Sequence, residues 1–169
     1  MTTITVIDTE TTGLKEESEI IALAAIRYEN AAITDRFHTY IKCRRKIPAQ
    51  IADLTGIDNA FLDSHGIELK DALTQFMEFC GDSKLLAIHS AFQKQFLDRD
   101  CIHNGLPVMQ NKIIDIGMLC KEITGKTLTP RERNAYNEAD DYGEQDPAQR
   151  SFRFMESIAR IYLNLQQNN

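Results

Sequence analysis

Two carboxylates, Asp8 and Glu10, stand one residue apart at the end of the run Ile4-Thr5-Val6-Ile7 and are followed by Thr11-Thr12-Gly13-Leu14. The apolar, β-branched run reads as a buried strand, and because side chains alternate along a strand, both acids project to the same side. Two anions crowded at the rim of an apolar sheet repel each other, and a hard divalent cation held by oxygen ligands relieves that repulsion. The chemistry this spacing offers is metal binding. An isolated D-x-E is a short pattern, and a solvated strand end with Gly13 making the turn would contain the same residues.

The rest of the chain supplies elements to hold this pair. Glu19 to Tyr28 is long enough to be a strand pairing with the first, and Ala31 to Ile41 reads as a third, joined through a short turn at Glu29-Asn30-Ala31-Ala32; together they predict an antiparallel meander. Lys42-Cys43-Arg44-Arg45-Lys46 is the dense basic cluster, suited to phosphates but equally a solvated loop. Pro48 opens a short helix over Ala49 to Leu54, stopped by Gly56. Leu69, Leu73, Phe76, Met77 and Cys80 recur at helical spacing and predict an amphipathic helix over Glu68 to Cys80 that covers the sheet. Lys84 to Ile88 predicts a short buried strand entering a helix that Gly105 and Pro107 end, and Lys112 to Ile116 a last strand, with a helix from Gly117 to Glu122. A short helix capped by Thr129 is expected before Tyr136, then a polar, acidic stretch over Asn137 to Asp146. Asp146 with Pro147 opens a C-terminal helix whose apolar stripe is Phe152, Met155, Ile158, Ala159, Tyr162 and Leu163.

At 169 residues, 43% of them hydrophobic, the chain is expected to form one domain over residues 1–169 with a sizeable core. No apolar run approaches the roughly 20 residues of a membrane span, and the sequence starts directly in a strand with no basic-then-apolar leader, so a soluble, cytoplasmic protein is expected. Cys43, Cys80, Cys101 and Cys120 lack C-x-x-C spacing and read as buried thiols rather than disulfides or zinc ligands. His89 and His103 read as single structural histidines with no second metal cluster around them. A net charge of −6 excludes affinity built on broad phosphate neutralisation but not an acidic site that meets phosphate through a metal.

The nine residues Val6-Ile7-Asp8-Thr9-Glu10-Thr11-Thr12-Gly13-Leu14 resemble the first motif of the DEDD (DnaQ-like) 3′-to-5′ exonucleases, the superfamily of the epsilon proofreading subunit of bacterial replicative DNA polymerase. The resemblance implies an α/β, ribonuclease H-like fold: a five-stranded mixed sheet, three antiparallel strands then two parallel ones, flanked by helices. It also implies hydrolysis of 3′-terminal nucleotides of single-stranded DNA or short RNA with Mg²⁺ or Mn²⁺, in active relatives as two ions about 3.5 to 4 Å apart. Asp8, Glu10 and Asp146 would be the metal ligands. Thr11, Thr12, Gly13, Leu14, Thr55, His89, Phe92 and Gln93 would contact substrate, and the expected partners are a single-stranded 3′ end, with a polymerase or a second copy of the chain.

Two later motifs depart from the family pattern. His89-Ser90-Ala91-Phe92-Gln93 resembles the second motif, but it is one residue short and carries Gln93 where relatives have a metal-binding aspartate, so a neutral carbonyl replaces an anion. Asp98 lies about 140° round the helix from position 93, and Asp100 roughly 10 Å further along it, so neither substitutes. Asp146-Pro147-Ala148-Gln149-Arg150-Ser151 resembles the third motif, although an aspartate there also serves as a plain helix cap. The family's histidine five residues earlier is Asp141; Tyr142, four residues earlier, fits its tyrosine form and would orient the attacking water. Two expectations follow: a 3′-to-5′ exonuclease, impaired at position 93, or a catalytically inactive homologue kept for binding nucleic acid or protein.

Overall fold

A computed structural model describes residues 3–128 and 146–167. Its frame is one five-stranded sheet in the order β3-β2-β1-β4-β5, formed by β1 (Thr3–Thr11), β2 (Ile20–Glu29), β3 (Ala32–Tyr40), β4 (Lys84–Ala87) and β5 (Ile113–Asp115). β1 pairs antiparallel with β2 and β2 with β3, whereas β4 joins β1 and β5 joins β4 in parallel. This is the three-then-two mixed sheet expected of the resemblance. The β2–β3 hairpin turns on Asn30 and Ala31, both at positive φ (51° and 66°), the primed geometry that matches strand twist in two-residue loops.

Helices cover both faces. α3 (Leu69–Cys80) and α4 (Ser90–His103) pack on the face bearing Ile7, Leu23, Ala25, Leu85 and Ala87, where Phe76 and Phe96 fill the layer. The C-terminal α6 (Pro147–Gln167), with α5 (Ile116–Thr124) beside it, covers the other face through Met155, Ile158, Ala159 and Tyr162 against Ile4, Val6, Ala24 and Ile26. Leu165 rather than Leu163 is the last buried residue of its stripe, and Phe152 is only half-buried. Among the described residues no helix is long and apolar enough to cross a membrane.

α1 (Ala49–Thr55) ends at Gly56, which adopts the left-handed conformation of a C-cap. α2 (Asn59–His65) was not expected from the sequence; Asp58 caps it by accepting from Phe61 N at 2.7 Å. Ile47, Ile57 and Leu62 bury against Ile21 and Ala22, and so fix α1 and α2 at the end of the sheet where β2 begins. The helix expected before Tyr136 and the acidic stretch after it lie outside the described residues, apart from Asp146.

Candidate functional site

The strand register decides what surrounds the two acids. Asp8 pairs with Ala24 and Ala24 with His38; Glu10 pairs with Ala22 and Ala22 with Tyr40. Paired residues share a face, so two rows run from β1 to the edge strand beneath the N-terminal end of α6, with small alanines between. A bulge at Glu10/Thr11 breaks the ladder beside the acids, a device that re-aims side chains at functional strand ends.

Asp8 is buried and Glu10 half-buried. Burial, and secondarily the charge of Glu10, pushes the Asp8 carboxyl well above the usual range. Burial likewise raises Glu10 to about 7, against the Arg150 guanidinium, which pulls it down. Two neighbouring acids that resist ionisation are what a cation would relieve.

The loop after β1 is held internally. Thr11 Oγ1 donates to the Gly13 carbonyl at 2.7 Å, and Thr12 Oγ1 accepts from Glu19 N at 3.0 Å. A Cβ on Gly13 would come within 3.1 Å of Ser18 Oγ. Leu14 is left 85% exposed at the tip. From α4, Arg99 reaches over the Phe96 ring, pairs with the buried Asp100 at 2.6 Å and donates to the Glu16 carbonyl, so this loop is clamped by a residue the sequence pattern did not single out.

Asp146 stands at the N-terminal end of α6. Its Oδ1 accepts from Ala148 N at 3.0 Å, as a helix cap does, and from the Tyr40 hydroxyl at 3.1 Å. Tyr40 is raised by burial and then by the Asp146 charge. His38, whose ring centroid lies 4.5 Å from that of Tyr40, is pushed down to about 4 by burial against the opposing pull of Asp146, and its Nε2 is buried without a partner. Strand alternation and the hairpin register were the signals that could have placed His38 and Tyr40 on this face. Arg150, four residues after Asp146 and hence on the same side of α6, donates to the Leu54 carbonyl at the end of α1.

Gln93 is 4% exposed, with Nε2 donating to the Ile88 carbonyl at 3.0 Å and Oε1 left without a partner. His89 is exposed at φ 54°, immediately before α4. With Phe92 it lines a 530 Å³ cleft between α4 and α5 that also takes in Asp115, Met118 and Lys121; Asp115 caps both helices, accepting from Ser90 N and Met118 N. Thr55 is buried, donating to the Ile51 carbonyl at 2.8 Å and accepting from Ile57 N at 3.2 Å, so its hydroxyl is spent on the end of α1. A 670 Å³ cleft at the far end of β1, lined by Thr3, Arg27 and Lys84 among others, is remote from the acids. Tyr142 lies outside the described residues.

The residues present fit one hard cation and not two. Asp8 and Glu10 offer carboxylates that a cation would help to ionise. Gln93 contributes at most a neutral oxygen, both hydrogen bonds to Asp146 fall on its Oδ1, and among the described residues no group of three or more His, Cys, Asp or Glu is arranged to hold a metal.

A family model described as an exonuclease, RNase_T, matches residues 5–142. The PolC-type DNA polymerase III of Halalkalibacterium halodurans is 35% identical over 130 residues, covering 76% of this chain and 9% of that protein; the chain thus spans under a tenth of the curated relatives it matches. Among solved structures, the zinc-bound form of an E. coli exonuclease I complex with single-stranded DNA superposes with a TM-score of 0.75 at 12% identity, covering 96% of this chain and 40% of that one. Exonuclease X in complex with 5′-overhanging duplex DNA gives 0.68 at 16% identity, covering 98% and 92%. At such identities these two likenesses concern the fold.

Proposed function

The chain belongs to the DEDD 3′-to-5′ exonuclease family, and from that membership we propose that it binds the 3′ end of single-stranded DNA or short RNA at the Asp8–Glu10 end of the sheet and hydrolyses it slowly with one Mg²⁺ or Mn²⁺. The observation that carries this reading is the asymmetry of the site. The first-motif pair is present and buried, whereas position 93 is neutral and Asp146 is held by Tyr40.

In this reading Asp8 and Glu10 would hold the ion, which would supply Lewis-acid polarisation of the scissile phosphate and a more acidic bound water. Asp8 fixes the geometry from the sheet interior, because its burial leaves it few rotamers. The loop, clamped by Arg99 through the Glu16 carbonyl, would present Leu14 to the terminal base. Tyr142 would orient the attacking water, and Asp146, whose bonds to Tyr40 and Ala148 both fall on Oδ1, would complete the ligand set through Oδ2. A polymerase partner belongs to the same proposal, since the curated relative is itself a DNA polymerase III.

The second reading, a catalytically inactive nucleic-acid or protein binding module, is favoured by Arg150, which faces Glu10 with a fixed positive charge. The test is cleavage of 5′-labelled DNA and RNA oligonucleotides in Mg²⁺ or Mn²⁺ by wild type and Asp8→Asn. Slow 3′-to-5′ shortening that Asp8→Asn abolishes supports the first reading. Equal traces for the two proteins, with binding retained, replace it by the second.

A further inference from the structure

Resting on the reading above that a nucleic-acid 3′ end enters this cleft, we infer that Arg150 supplies the positive charge a second metal ion would bring, so that a terminal phosphate is held by a guanidinium fork without divalent metal.

Three elements meet around that side chain. Arg150 lies in the first turn of α6, and its Nη1 donates to the Leu54 carbonyl. Leu54 is in the last turn of α1, where carbonyls lack intrahelical donors. The two helix ends are locked together, since a Cβ on Gly56 would come within 3.3 Å of the Pro147 ring. The guanidinium is therefore fixed at one edge, with further donors of its planar fork available to an oxyanion. The row Glu10–Ala22–Tyr40 and the Tyr40–Asp146 bond bring the first turn of α6 to the acid end of the sheet, yet among the described residues no carboxylate lies within ion-pair distance of Arg150. A cation fixed by a neutral carbonyl and, among the described residues, without an ion-pair partner suits an oxyanion such as phosphate. Beside it Leu54 is 63% exposed and, at the other side of Glu10, Leu14 is 85% exposed. Either leucine offers apolar surface to a terminal base. At position 93 the neutral amide of Gln93 leaves a second ion without an anionic ligand.

The experiment is fluorescence anisotropy of a 5′-labelled single-stranded oligonucleotide at low salt, in EDTA and in Mn²⁺, with dTMP as competitor. Wild type is expected to bind in EDTA, and Arg150→Gln to bind about 10- to 100-fold more weakly there, as loss of a charge-assisted fork implies. Lys70→Gln, an exposed charge removed from α3, is expected to leave the affinity unchanged. Arg150→Lys keeps a donor for Leu54 but not the fork, and carries the test should the glutamine variant unfold: several-fold weaker binding in EDTA supports the assignment, and wild-type affinity overturns it. Binding that requires Mn²⁺ and is indifferent to Arg150 overturns the inference while leaving the proposed function standing. No binding in either buffer overturns both.

Discussion

Replacing Glu10 by glutamine should stabilise the protein above neutral pH. The carboxyl is raised from 4.5 to about 7 in the fold, so the native state binds a proton more tightly than the unfolded chain does. A group raised in this way contributes stability that is complete below pH 4.5 and is lost as pH rises through 7. The full shift corresponds to about 3.4 kcal/mol at 1.36 kcal/mol per unit. Because the side chain is half-buried, solvent screening reduces this to about 1–2 kcal/mol. The favourable field of Arg150 is already contained in the raised value, so its loss in the variant needs no separate allowance. Glutamine carries no charge to desolvate. In EDTA its melting temperature should match that of wild type near pH 4.5 and exceed it at pH 8 by about 3–6 °C, the size effect for a domain of this length. Mn²⁺ at pH 8 should then raise the wild-type midpoint more than that of the variant, since an ion that binds only the native state stabilises it by mass action. A variant whose advantage over wild type is the same at both pH values would refute the desolvation argument.

His38 works in the opposite direction: depressed to about 4 from 6.5, it contributes stability present above pH 6.5 and lost as pH falls towards 4, so His38→Gln should flatten the acid limb of the melting curve, and an unchanged limb would show that the imidazole protonates freely. Ala31 sits at φ 66° in the hairpin turn, where a Cβ is unfavourable; Ala31→Gly should add about 0.5–1 kcal/mol to the denaturant-extrapolated stability, and a loss would mean that the turn is not of the primed type. Gln93→Asp removes the donor to Ile88 and places an acid in a site only 4% exposed, so in EDTA it should destabilise by about 1–3 kcal/mol. If position 93 faces the ion, Mn²⁺ should recover most of that loss and shift the midpoint further than in wild type; a shift no larger would separate position 93 from the acid pair.

The first motif and the antiparallel meander were legible because their signals are local, whereas the parallel pairing of the last two strands followed from the resemblance alone. β-branched runs with a two-residue turn between them dictate the meander, and period-two alternation dictates that Asp8 and Glu10 project together. The helix over Asn59–His65 was not, since it is a short element begun by one capping aspartate in a stretch without sustained periodicity. His38 and Tyr40 were missed for a different reason: nothing in their own neighbourhood marks them, and only the register across two strand pairs brings them onto the face of the acids.

Asp146 shows where pattern reasoning reaches its end. An aspartate before proline at a helix start satisfies the needs of a cap and those of a metal ligand equally, because both want an oxygen at a helix N-terminus. The structure adds a partner that the pattern does not name, the hydroxyl of Tyr40, 106 residues away in sequence, bonded to the same Oδ1 that caps the helix and compatible with either role. The charge that reaches Glu10 from the same helix is instead that of Arg150, one turn further on. A carboxylate expected at this rim would have deepened the repulsion between Asp8 and Glu10 and required a second cation. A guanidinium in its neighbourhood lowers that repulsion, so the pair can be kept in the fold with one ion or none. On this account the neutral residue at position 93 and the cation at position 150 act in the same direction, since a site that holds fewer anions needs fewer metals.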